Sequence, residues 1–310
     1  MTLMRCLVRL AVVVAAAGSG NAATAACLER HPLTSHCLRS DNSSPSHDSP
    51  WAVAQRRVNS ASESAKIVGG VLAEQGQDPW QVALVLKDKP TVFDGQFCGG
   101  ANIGGGWVLT AAHCVDEAPA SALAVYSGST SLRGGGRLTP VERVVVHPNW
   151  DRERVRNDIA LLLVQGGAAG LVGQPVEGPA DIPPAMLPLL KLRTTGWGNS
   201  LRLGDDSGRE PELMSVELPV VDEVACNAPP AYDGLITPQM LCAGPEDTSK
   251  SSCNGDSGGP ATVEFAGLRR LVGIVSFGKA GCQGRHAYSV FTRVSAYGPW
   301  IRQVVTELPR

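Results

Sequence analysis

The sequence predicts an all-β fold, two packed antiparallel β-barrels followed by one C-terminal α-helix, and three observations carry that reading. From Ile67 onward, short apolar runs are separated by glycine and proline turns, the pattern of many short strands. The stretch from Ile67 to Arg310 is long enough to bury two such cores. Only one segment, residues 295–308, sets apolar residues at helical spacing, at Trp300, Ile301, Val304, Val305 and Leu308.

Taken in chain order, Arg5 and Arg9 precede a short apolar segment from Leu10 to Ala17, and small residues follow from Ala22 to Ala26. Residues 1–26 therefore read as a secretory signal peptide, too short to span a membrane, with cleavage expected after Ala25 or Ala26. No other apolar run reaches spanning length, so a soluble protein with no membrane association is expected. Residues 27–66 read as a propeptide. Serine, asparagine, proline and charge dominate 38–65, as in SDNSSPSHDSP at 40–50, a composition that does not build a core. The expected strands include Gln81–Leu86, Trp107–Thr110, Val141–Val146, Ile159–Val164, Met214–Val221, Arg270–Val275 and Ser289–Val294. A Gly-, Pro- and Ala-rich stretch from Gly166 to Pro188 marks the crossover, which puts the first barrel at about 67–178 and the second at about 179–294. No internal repeat is evident.

With 29 acidic and 27 basic residues, the chain has no global field to draw it to nucleic acid or an anionic membrane. Of nine cysteines, Cys6 leaves with the signal, and the remaining eight are an even number suited to an oxidising compartment. No C-x-x-C pair with nearby histidines suggests zinc. Cys27 either closes a small loop with Cys37 or is a lipidated N-terminus. Thr24, where a large aliphatic residue is expected before a lipidated cysteine, argues against the second.

The most informative string is Gly255-Asp256-Ser257-Gly258-Gly259-Pro260, which presents a serine among glycines. Glycine lets backbone N–H groups approach a substrate oxygen, so those of Gly255 and Ser257 can bind the anion formed when the hydroxyl attacks a carbonyl. Alone, the string also fits an ordinary glycine turn. The chemical reading needs a base and a group to orient it. Trp107–Cys114 reads as a buried strand running into a small-residue turn that ends on His113, and Asn157–Val164 sets Asp158 at the mouth of an apolar run.

The order His113, Asp158, Ser257 in these surroundings resembles the trypsin and chymotrypsin family of serine endopeptidases. The resemblance runs from Ile67 to the C-terminus, through IVGG at 67–70, AAHC at 111–114, NDIAL at 157–161, TGWG at 195–198, CAG at 242–244, GDSGGP at 255–260 and IVSFG at 274–278. It implies Ser257 as nucleophile, His113 as general acid and base, Asp158 as the group that fixes the imidazole, and Ser276 as a hydrogen-bond donor to that aspartate. It pairs Cys98 with Cys114, Cys226 with Cys242 and Cys253 with Cys282. Bridges common in animal relatives are missing as pairs, with Ala73 and Ser215 in one set of positions and Leu192 and Val263 in another. Cutting between Lys66 and Ile67 would free an α-amino group to pair with Asp256 and order the oxyanion hole.

Six residues before the nucleophile stands Ser251, where a trypsin carries an aspartate; Gly278 and Ser289 complete the expected pocket. With no carboxylate there, aromatic or medium aliphatic side chains are expected in place of lysine or arginine. The activator would then be a separate trypsin-like protease. The expected protein is a secreted, extracellular or periplasmic monomer acting on proteins or peptides, with no cofactor. Tyr288 is compatible with sodium binding in some relatives, though packing is the simpler reading, and Ser127 to Glu142 lacks the clustered acids of a calcium loop. Lys279 and Arg285 read as cleft-rim charges, His147 and His286 as surface residues without partners. A catalytically weak binding or adhesion protein on the same fold is the main alternative, against which the three intact residues argue. Esterase chemistry is the third reading, but there the histidine is expected last in sequence.

Overall fold

The computed structural model describes residues 67–174, 176–178, 182–198, 211–247, 249–279, 282 and 284–308. The expected signal peptide, propeptide, Cys27, Cys37 and Lys66 lie outside these residues. A two-residue strand, β1 (Val71–Leu72), comes first. Six strands then close the first barrel: β2 (Gln81–Leu86), β3 (Gln96–Gly104), β4 (Trp107–Thr110), β5 (Leu123–Ser127), β6 (Arg137–Val146) and β7 (Ala160–Val164). Their order around the ring is β2-β3-β4-β7-β6-β5, all antiparallel. Strands β2, β4, β5 and β7 are buried at every position, so they read in the sequence as continuous apolar runs.

The second barrel is built from β8 (Lys191–Gly196), β9 (Met214–Val221), β10 (Met240–Ala243), β11 (Pro260–Phe265), β12 (Leu268–Phe277) and β13 (Ser289–Arg293). They run β8-β9-β10-β13-β12-β11, and the β8–β9 pairing closes the ring. The crossover between the barrels holds two 3-10 turns, Gly167–Gly170 and Pro184–Leu189. The three expected disulfides are present: Cys98–Cys114, Cys226–Cys242 and Cys253–Cys282. Leu192 and Val263, the pair expected in place of one such bridge, are fully buried in the second core.

Two connections cross between the barrels. The first described segment does not stay with the first barrel: β1 pairs with β9, Val71 opposite Ser215 and Leu72 opposite Met214, and Ile67 is buried in the second core. Conversely, the C-terminal helix packs on the first barrel. Besides three short helical turns, α1 (Val92–Gly95), α2 (Ala112–Val115) and α3 (Glu223–Cys226), the chain ends in α4 (Gly298–Glu307), which a 3-10 turn at Val294–Tyr297 precedes. Val304 of α4 enters the first core, with Trp300, Ile301, Val305 and Leu308 against it. A buried ion pair adds a third tie, Arg193 of β8 donating to Asp78 from Nη2 at 2.8 Å and from Nε at 3.1 Å. Among the described residues no helix is long and apolar enough to cross a membrane.

Candidate active site

Strand β4 carries the chain out of the first core and straight into α2, whose second residue is His113. The Cys98–Cys114 bridge anchors that turn to β3. Asp158 lies two residues before β7, after Asn157 turns the chain at φ 55, a left-handed geometry that asparagine tolerates better than most residues. The two side chains meet: His113 Nδ1 is 2.7 Å from Asp158 Oδ2, and the His113 backbone N–H donates to Oδ1 at 2.9 Å. Ser276, from β12 of the other barrel, donates to the same Oδ2 at 2.5 Å, and Thr292 of β13 donates to the Asp158 carbonyl at 2.7 Å.

Asp158 is buried and His113 is one-fifth exposed. Burial works against the charged form of each, but their mutual attraction and hydrogen bonding prevail. His113 is held above the ordinary imidazole value and Asp158 below the ordinary carboxylate value, the latter helped by Ser276. With its Nδ1 engaged by the carboxylate, His113 leaves Nε2 as the atom that can take a proton from a neighbour.

Ser257 lies on a loop clamped between the barrels. Gly99 of β3 donates to the Ser257 carbonyl at 2.7 Å, and Gly258 donates to the Val275 carbonyl at 2.8 Å. Gly258 has φ 78, and a Cβ there would stand 2.2 Å from Thr110 Oγ1 and 3.2 Å from the Ala111 nitrogen. The position therefore requires glycine, and it seats the serine loop against the strand end that leads to His113. Among the described residues no hydrogen bond joins the Ser257 hydroxyl to His113. The structure thus assembles the histidine–aspartate half of the site.

The backbone of this loop is informative. Asp256 N–H donates to the Cys253 carbonyl, Gly258 to Val275, and Gly259 to Asp256. Among the described residues, the N–H groups of Gly255 and Ser257 have no acceptor. Two unspent donors two residues apart, beside a half-buried hydroxyl, are an arrangement that can receive an oxyanion. Asp256 itself is fully buried, accepting from the Cys253 and Gly198 backbone N–H groups at 2.8 Å each. Burial pushes its carboxyl up to about 7, against the pull of those two bonds, and no cation pairs with it among the described residues. The segment from Ile67 is close in the network: Val68 and Ser251 exchange two backbone bonds, of 3.1 and 3.2 Å.

The expected pocket residues have their polar atoms engaged. Ser251 is buried and donates to the Cys282 carbonyl at 2.7 Å. Ser289 accepts from the Ser252 N–H at 3.0 Å and from the Ser252 hydroxyl at 2.9 Å, so its oxygen is turned into the wall. Gly278 is exposed. Four outlying residues have more defined places than the sequence suggested. Lys279 Nζ donates to the Pro230 carbonyl at 2.7 Å, and Arg285 pairs with Glu246. His147 is not a partnerless surface residue, because its ring packs edge-on against Tyr297 and Trp300 of the C-terminal segment; burial lowers its pKa. His286 likewise has partners, its Nδ1 lying 3.3 Å from the Tyr288 hydroxyl and its Nε2 3.6 Å from Glu246. Cys98, His113 and Cys114 come close enough together to hold a metal ion, but the two sulfurs are bonded to each other.

Two closed barrels with this constellation between them define a class, and comparison with known proteins agrees. The family model described as Trypsin matches residues 67–301, and the chain belongs to that family. Among curated proteins it is similar to vitamin K-dependent protein C of Mus musculus, 34% identical over 258 residues, and of Rattus norvegicus, 34% identical over 261. Each match covers 78% of this chain and 52% of the relative, so the chain spans about half the length of the curated relatives it matches.

Proposed function

We propose that the chain is a secreted serine endopeptidase made as a zymogen, with residues 1–26 as signal, 27–66 as propeptide and 67–310 as the protease domain. The observation that carries this reading is the pair of unspent N–H groups at Gly255 and Ser257, on a loop packed against the His113 turn. In the reaction, His113 Nε2 takes the Ser257 proton as Oγ attacks the scissile carbonyl, and the oxyanion accepts from the two N–H groups. Collapse of this intermediate passes the proton to the leaving amine and leaves an acyl-enzyme, which water hydrolyses by the same steps. Asp158, held by Ser276, keeps the imidazole in register and stabilises its cation.

Ser251 and Ser289 offer no charge to the pocket, so cleavage after Phe, Tyr, Leu or Met is favoured over cleavage after Lys or Arg, whose cations would be desolvated unpaired. An enzyme with that preference is a poor match for the bond after Lys66, which makes a separate trypsin-like protease the activator. Asp256, buried and without a cation partner among the described residues, supports a role for the Ile67 amino group as that partner. The test is to treat purified precursor with trace trypsin, sequence the new N-terminus, label with a fluorophosphonate and profile cuts on a complex peptide mixture. An Ile67 N-terminus, a label on Ser257 and cuts after apolar residues are expected. No label on Ser257 after a correct cut would sink the enzymatic reading, and cuts mainly after basic residues would sink the specificity.

A further inference from the structure

Gln96, the first residue of β3, is a glutamine buried at the junction of the two barrels, 1% exposed. Its Nε2 donates to the Gly255 carbonyl at 3.0 Å and to the Cys98 carbonyl at 3.3 Å. Gly255 is the pivot of the candidate oxyanion site: its φ is 92, a backbone that favours glycine, and two peptide planes meet at its Cα. The plane beyond it is held at both ends, the Gly255 oxygen by Gln96 and the Asp256 nitrogen by the Cys253 carbonyl at 3.0 Å. The plane before it carries the Gly255 N–H. That plane is confined on one side by Gly198, where an added Cβ would stand 2.5 Å from the Asn254 carbonyl oxygen. Remove the Gln96 donor and the Gly255 carbonyl keeps no described side-chain partner, so the plane beyond Gly255 is held only at its Asp256 N–H end and can tilt about a glycine that resists little.

We propose that Gln96 is a positioning residue for the oxyanion site, fixing from the first barrel the peptide plane that follows Gly255, so that the Gly255 Cα and the N–H on its preceding plane keep their direction toward the anion. This rests on the serine-protease reading of Ser257. Because Gln96 stands two residues from Cys98, whose disulfide partner Cys114 adjoins His113, the same strand start holds both the base and the oxyanion donor in place. The expected signature is loss of transition-state binding with ground-state binding kept.

Two variants with opposite folding risks make the test. Gln96→Glu keeps the shape and replaces the donor with an acceptor; Gln96→Met keeps the length and removes polarity. Each is activated by trypsin and compared with wild type for kcat and KM on a peptide amide, for affinity toward a peptidyl boronic acid that forms a tetrahedral adduct with Ser257, and for affinity toward the same peptide with a reduced scissile bond. Removing an oxyanion donor outright typically costs 10²- to 10³-fold, and displacing one costs less, so kcat should fall by roughly 10- to 100-fold. Boronate affinity should fall in parallel, with KM and reduced-peptide affinity within about twofold of wild type. Wild-type kcat in either folded variant overturns the proposal, as does a loss shared equally by boronate and reduced peptide. Failure of the wild type to label at Ser257 is a separate result that removes the protease reading and this inference with it.

Discussion

Asp256 gives the most quantitative handle on the molecule. Among the described residues it is a buried carboxyl with two backbone donors and no cation, and burial raises it from 3.8 to about 7. The sign follows from proton linkage: between those values the folded protein binds a proton that the unfolded chain has released, so stability falls as pH rises through that window. A displacement of that size is worth about 4 kcal/mol, fully expressed above pH 7. The perturbation is Asp256→Asn in a Ser257→Ala background, which keeps the precursor uncut and inert. Urea unfolding of both proteins at pH 4 and pH 8 removes the contribution of every other titrating group by difference. At pH 4 the variant should be the less stable, because its amide nitrogen faces the Cys253 or Gly198 N–H and one hydrogen bond is lost, at about 1–3 kcal/mol. By pH 8 the gap between the two proteins should have moved by about 4 kcal/mol in the variant's favour. After cleavage at Lys66 the sign should reverse, because an α-ammonium at Ile67 would make the carboxylate the favoured form and the amide a broken buried pair, about 3–5 kcal/mol worse. A gap that does not change with pH would refute the reasoning, since it would mean that Asp256 is already compensated in the precursor.

Asp158→Asn should lower kcat by about 10⁴-fold by favouring the wrong imidazole tautomer. The wild-type acid limb of kcat/KM should lie above the ordinary imidazole value of 6.5, since His113 must be neutral to act and Asp158 raises its pKa; the same variant should move that limb down. The His113–Asp158 attraction also stabilises the fold below pH 6.5, and that contribution should fade as pH rises through the raised value. Asp78→Ala, which takes the charge partner from the buried Arg193 guanidinium and leaves it Gln77 Oε1 at 2.7 Å, should cost up to about 3–5 kcal/mol in chemical unfolding while leaving the expected cleavage preference unchanged.

How much of this was legible in the sequence depended on whether a feature is local. The runs QVALVL, WVLT and MSVELPVV announce β2, β4 and β9 at their observed bounds, because buried strands are written as short apolar stretches between turns. Strand β3 is harder to see. Its QFCGGANIG is broken by glycines, of which Gly99 answers to the other barrel, since a Cβ there would stand 3.0 Å from the Gly259 Cα, and Gly100 to its own, where a Cβ would stand 2.6 Å from Val108 Cγ1. The excursion of Ile67–Leu72 into the second barrel left no local mark, because pairing with Met214 and Ser215 is a long-range choice. His113, Asp158 and Ser257 stand out because each sits in a distinctive string. Gln96, Thr292 and Tyr297, which hold them or their neighbours, do not: they are ordinary residues in ordinary strands or turns, and only the fold brings them to the site.

The division of labour at the site explains why the two barrels must stay in register. Asp158 belongs to the first barrel, yet two of its donors, Ser276 and Thr292, come from the second. Ser257 belongs to the second barrel, yet its carbonyl is held by Gly99 and the preceding Gly255 carbonyl by Gln96, both from the first. Asn157 accepts at 3.1 Å from the Tyr297 hydroxyl, from the segment that crosses back at the C-terminus. Each half of the chemistry is thus clamped by the opposite barrel, and a relative shift large enough to break one clamp strains the others. The buried Asp78–Arg193 pair then contributes to the site through the barrel interface. A change there that only softened the interface should reduce activity before it unfolds the protein, because hydrogen bonds of 2.5–3.1 Å between the barrels tolerate less displacement than the packed cores.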